Sequence, residues 1–218
     1  MNRIALPVGL LMTALAGYVD AIGFLRLGGL YTSFMSGNTT QLGILAAHGD
    51  WAHVFWPASL LAMFFAGAVT GGLVALLAGG RRAPAVLGLE ALCLAIALAA
   101  PILHEPEAVA MLPLAFAMGA QNAALQLKAG ARPGTTFVTG TLFSAGNALA
   151  QALAGVGPRW GWTSHLLVWI SMLAGAGLGA IAHGRMGLEA LLYPAALSAA
   201  LAFATLAMAA GASSAKAG

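Results

Sequence analysis

Charge is what this sequence has least of. Its 218 residues include nine Lys and Arg against six Asp and Glu, 7% charged and 61% hydrophobic, where an ordinary soluble domain is about 25% charged. So little charge excludes a solvated globular surface. The basic residues are scattered between the apolar runs, never more than the pair Arg81-Arg82 together, which also excludes a nucleic-acid-binding face. Cysteine is nearly missing: Cys93 is alone in "ALCLAIALAA", so no internal disulfide forms and the thiol is expected as a small buried hydrophobe. Zinc spacings, nucleotide-binding glycine loops and nucleophile elbows are absent, so the reading is not an enzyme and implies no cofactor or metal. The five histidines (48, 53, 104, 165 and 183) have no ligand spacing and sit near expected span ends.

Long apolar runs are present instead. Val54–Gly80, Ala108–Leu127 and Ala190–Ala215 contain no Asp, Glu, Lys or Arg, and each can cross a core that takes roughly 20 helical residues. The alternating segments of a membrane β-barrel do not occur. The fold class is therefore an all-α integral membrane protein in a lipid bilayer. "FFAGAVTGG" (64–72) and "LAGAGLGAIAHG" (173–184) set small residues at helical spacing, surfaces that let helices approach closely or serve a homo-oligomer. Trp51, Trp56, Trp160, Trp162 and Trp169 mostly mark span ends, as interfacial aromatics do.

The chain repeats itself. "GYVDAIGFLRLGG" (17–29) lies over "GAQNAALQLKAGA" (119–131), pairing Gly17 with Gly119 and Asp20 with Asn122. "TSFMSGNTTQLG" (32–43) lies over "TTFVTGTLFSAG" (135–146), and "GLEAL" recurs verbatim at 88–92 and 187–191. One membrane domain with repeats over 1–104 and 105–218 follows. The N-terminal run after Arg3, which could be mistaken for a signal peptide, is then the first helix of repeat one. Each repeat reads as helix a (about 4–26 and 107–128), short segment b (35–48, 138–153), helix c (54–80, 161–183) and helix d (84–103, 188–211). If b does not cross, three spans per repeat give an inverted 3+3 architecture with two re-entrant helices. If b crosses, the repeats are parallel, 4+4. The inverted form puts Arg3, Arg81, Arg82, Lys128, Arg132, Arg159 and Lys216 inside and Arg26 and Arg185 outside, and the bias of Lys and Arg towards the cytoplasm favours it.

Polar residues concentrate in segment b. Ser36-Gly37-Asn38 reads as a helix start, followed by Thr39. Thr139, Gly140 and Thr141 match it in the second repeat. A helix beginning inside protein offers free N–H groups and a positive dipole end to a polar or anionic solute. Alternatively, these residues pack helices and bond back to carbonyls. Asp20 in helix a must avoid lipid. It is expected to bind a coupling proton or cation, with Asn122 and Gln121 offering amides nearby, or else to orient helices through hydrogen bonds. Glu90 and Glu189 are expected to begin helix d in each repeat, following Pro84 and Gly187, in an early turn where a carboxylate favours the dipole, with Arg185 four residues before Glu189 pairing to it.

At "AGYVDAIGFLRLGGLYTSFMSGNTTQLG", and again at "GAQNAALQLKAG" and "TTFVTGTLFSAGNAL", the chain resembles the DUF1275, or YoaK-like, family. The resemblance runs from about residue 7 to 210 and implies a small, multi-pass protein of the bacterial inner membrane. It assigns no substrate. The functional expectation is a secondary transporter of a small polar or anionic solute, coupled through Asp20. The alternatives are a passive channel and a non-transporting assembly subunit.

Overall fold

The computed structural model describes residues 5–100, 102–104, 108–124 and 138–214. Arg3, Lys128, Arg132 and Lys216, which entered the charge count, lie outside the described residues, as does the stretch 133–137 before the second motif. All regular elements among the described residues are helical: α1 (Ala5–Arg26), α2 (Met35–Ala47), α3 (Phe55–Ala78), α4 (Arg82–Ala99), α5 (Met111–Gln121), α6 (Val138–Leu153), α7 (Thr163–Met186) and α8 (Leu192–Ser214). Short 3-10 turns, Gly79–Arg81 and Gly187–Leu191, join α3 to α4 and α7 to α8.

Three helical stretches are long and apolar enough to cross a membrane: Leu6–Arg26, Phe55–Ala99 and Thr163–Ala210. The last two each hold two helices. Gly79 and Gly187 break them at φ 53° and 59°, a left-handed backbone that costs other residues roughly 1–2 kcal/mol. The helix α5 contacts both α3 and α4, so the first pair folds back as a hairpin. In contrast, α2 with 13 residues reaches about 20 Å at 1.5 Å per residue, short of a core of about 30 Å.

Packing is by backbone approach. The most extensive contacts pair α1 with α7, α3 with α5 and α4 with α8. A methyl group on Gly17 would strike Met172 and Ala176, and one on Gly175 or Gly179 would strike Ala14 or Tyr18. The α3–α5 contact uses the same device: Gly119 lies on Phe64 and Ala68, and Gly67 and Gly71 lie on Phe116 and Ala120. Residue numbers rise together across both contacts, so α1 runs parallel to α7 and α3 to α5. Gly67, Gly71, Gly175 and Gly179 of the small-residue stretches are thus used within the chain, while Gly72, Gly177 and Gly184 have open space beside them.

Between α1 and α5 the direction reverses. Gln121 Nε2, at the end of α5, donates to the Met12 carbonyl in the first half of α1 at 3.0 Å, and Ala123 and Ala124 share a cluster with Met12 and Val8. Helix α5 is central: Met111, Leu114, Ala115, Ala117, Met118, Gly119, Ala120 and Gln121 are all buried. It is also shorter than the helix expected over 107–128, because turns flank it. The Asn122 amide donates to the Met118 carbonyl at 3.1 Å, competing with the backbone amide that would continue the helix.

Candidate functional site

The first polar motif is assembled by a reversal at the end of α1. Gly28 and Gly29 adopt φ 62° and 113°, and the Gly29 amide bonds back to the Phe24 carbonyl at 3.0 Å, closing the helix as a left-handed glycine cap does. The chain then returns along α1 and lays Thr32 and Ser33 against Asp20. Asp20 is 5% exposed, Thr32 0% and Ser33 3%. Its Oδ1 accepts from the Thr32 amide at 2.8 Å, the Thr32 hydroxyl at 3.1 Å and the Ser33 amide at 2.6 Å. Its Oδ2 accepts from the Ser33 hydroxyl at 2.7 Å.

Asn38 holds the other side of the loop. Wholly buried, it accepts the Tyr31 amide at 2.9 Å and donates to the Tyr31 carbonyl at 2.7 Å. Two glycines make room: a methyl on Gly23 would lie 2.6 Å from Thr32 Cγ2, and one on Gly37 2.7 Å from Phe34 Cδ1. Tyr31 packs between Phe24 and Phe34, with ring centroids 5.0 and 5.1 Å away. The start of α2 differs from expectation. Phe34 is its N-cap, with no side-chain cap bond, so Ser36 and Asn38 lie inside the helix. Asp20 and Asn38 bind the amides of the loop before the helix, at Thr32, Ser33 and Tyr31, while the Met35 and Gly37 amides at the helix start bond to the Ser33 and Phe34 carbonyls.

The other expected site residues are arranged less tightly. Ser36 and Thr39 are exposed and Gly37 is half-buried. Thr39 donates to the Met35 carbonyl at 2.8 Å and Thr40 to the Ser36 carbonyl at 3.1 Å. In α6, Thr139 is exposed and Gly140 and Thr141 are half-buried, with Thr141 donating to the Val138 carbonyl at 2.7 Å. Gln121 is buried on Met12, and Asn122 is half-buried on its own helix. Helix α2 packs on α3 and α6 on α7, so no extensive contact joins the two motifs.

Both short helices nevertheless expose polar side chains: Ser36, Thr39, Thr40 and Gln41 on α2, and Thr139, Asn147 and Gln151 on α6. The long helix α3 exposes Phe65, Val69, Leu73, Leu76 and Leu77 instead. The short helices expose apolar residues too, Ile44 on α2 and Leu142, Phe143, Leu149 and Leu153 on α6, so their surfaces are mixed where that of α3 is apolar.

Expectation misplaced Glu90. Because α4 begins at Arg82, with Pro84 tolerated in its first turn, Glu90 is about two turns inside the helix, out of reach of the dipole end, and wholly buried. Glu189 does fall in the first turn of its element and is exposed. It makes no ion pair with Arg185, since the chain leaves the α-helix at Gly187 and the one-turn spacing is lost. Thr32 and Ser33 as partners of Asp20, and Tyr31 as the partner of Asn38, carried no signal beyond their position just after the "LGGL" reversal.

Comparison with known proteins agrees with the membrane reading. Residues 8–204 match the family described as "Protein of unknown function (DUF1275)". A UPF0700 transmembrane protein of Rhizobium meliloti is 35% identical over 191 residues, covering 86% of this chain and 81% of the relative. No solved structure matches the chain. This helical membrane protein belongs to the DUF1275 family.

Proposed function

We propose that the protein is a small secondary transporter of a polar or anionic solute in the bacterial inner membrane, built from two inverted halves of three spans each, with α2 and α6 as re-entrant helices. The swapped packing supports this architecture: α1 runs parallel to α7, α5 parallel to α3, and α5 opposes α1. That pattern is what an in-plane two-fold axis produces, and many transporters share it. The solute engages the hydroxyl-bearing starts of α2 and α6 around Ser36, Thr39, Thr139 and Thr141, and no bond-making chemistry is involved.

The observation that carries the reading is Asp20 and its four loop donors. As a carboxylate it accepts all four. As a neutral acid it gives up an acceptor site and must turn the Ser33 hydroxyl around, loosening the loop that anchors α2. A proton at Asp20 therefore links solution pH to the position of the re-entrant helix, which is the coupling a transporter needs.

Wild type and Asp20→Asn in proteoliposomes, screened against a solute panel by thermal shift at several pH values, test the function. A solute that stabilises wild type in a pH-dependent way lost in the mutant is the expected result; no stabilisation by any solute, with both proteins folded, overturns it. Architecture is tested separately with Arg81→Cys and Arg185→Cys in a Cys93→Ser background. An impermeant maleimide is expected to reach them from opposite sides, and labelling from the same side means parallel halves.

A further inference from the structure

Glu90 and Ser198 face each other across the α4–α8 contact, and both are wholly buried. Neither Glu90 Oε1 nor Oε2 has a hydrogen-bond partner, and neither does Ser198 Oγ. Two orphaned polar groups from different helices meet where an apolar pair would pack without that cost.

The charges around them are sparse. Helices α3 and α5, which pack against α4, contain no Asp, Glu, Lys, Arg or His. Helix α8 contributes Tyr193, 58% exposed. The adjoining 3-10 turns contribute Arg81 and Glu189, both exposed. On α4 itself, Arg82 sits at the helix start, and Cys93, one turn beyond Glu90, is 6% exposed. No buried cation compensates Glu90 among the described residues. A bare carboxylate here would carry a desolvation cost of several kcal/mol.

We infer that the α4–α8 contact is a proton-binding site: Glu90 holds a proton while the two helices are packed, Ser198 faces it, and loss of the proton parts the helices. The side chain then behaves oppositely to Asp20, whose loop is built around an acceptor. The inference rests on the transport reading for the use made of the proton, while the proton itself is tested without any solute.

The native Cys93 reports the opening. The full-length protein is treated with N-ethylmaleimide over a range of pH, comparing wild type with Glu90→Gln, which mimics the protonated acid, and Glu90→Met, which removes the group at similar volume. Alkylation of wild type is expected to rise with pH several-fold more steeply than in either variant, whose profiles follow the thiol alone. Coincident profiles in all three overturn the inference. Infrared difference spectra supply an independent reading: an un-ionised carboxyl band at neutral pH, shifted by deuterium oxide and missing from Glu90→Gln, is expected. Its absence from wild type, or a band that deuterium never shifts, counts against an exchangeable proton. Should these results hold while no solute is ever found, the proton site stands and the transport reading fails.

Discussion

Asp20 and Glu90 are both buried acids in apolar helices, yet their surroundings are opposite. Asp20 meets two amides, which can only donate, and two hydroxyls. Among the described residues Glu90 has only the Ser198 hydroxyl beside it, and no bond of full hydrogen-bond geometry. The contrast teaches that burial alone does not define a carboxyl group's role; the donors aimed at it do. The first is placed to hold a loop by accepting, and the second can be held cheaply only as a neutral acid. Two carboxyls whose settings favour opposite states are the usual raw material of acid–base assignment.

Substitutions can break this contrast. The largest effect is expected from Asp20→Ala, which strands the Thr32 and Ser33 amides at about 1–3 kcal/mol each. Thermal unfolding in detergent should show the loss, together with proteolysis in the 31–34 loop. Next comes Asn38→Ala, which releases both backbone groups of Tyr31. Since Tyr31 is only half-buried and water can replace part of what is lost, a cost of about 1–2 kcal/mol is expected by the same measurement. Asp20→Asn should cost less still, about 1 kcal/mol, because its carbonyl oxygen still accepts while the charge assistance is gone. Equal losses for Ala and Asn at position 20 would mean that its acceptor role is not what matters. At the small end, Glu90→Gln and Glu90→Met should change stability by less than about 1 kcal/mol, with Met at least as stable as wild type. A loss at Glu90→Met comparable to that at Asp20→Ala would erase the distinction between the two sites.

The repeated "GLEAL" shows why one of these sites was visible in advance and the other was not. At 88–92 it lies inside α4 and buries its glutamate; at 187–191 it forms a 3-10 turn and exposes it. Identical local sequence met different surroundings, the packed face of α8 in one case and the break in the helix at Gly187 in the other. Asp20 was singled out because an acid amid "AGYVDAIGFL" must find partners, but its partners come from a loop twelve residues on, brought back by Gly28 and Gly29. The start of α2 was misread at Ser36 and Asn38 for a related reason: a side-chain cap was sought there, whereas the helix opens at Phe34 on backbone carbonyls and Asn38 turns back to hold Tyr31 in the loop.

What the sequence determined by itself is everything that depends on spacing along the chain. It marked the helices, with α3, α6 and α7 close to the expected 54–80, 138–153 and 161–183, the small-residue faces, and the membrane setting, because apolar run length and glycine period are one-dimensional properties. The pairing of those faces was left to the tertiary structure: α1 on α7 and α3 on α5, with α5 reversed against α1. Tertiary structure also decided which of two buried acids gained donors. A hydrogen bond or a buried charge is a relation between segments far apart in the chain, and its energy exists only once the backbone has brought them together.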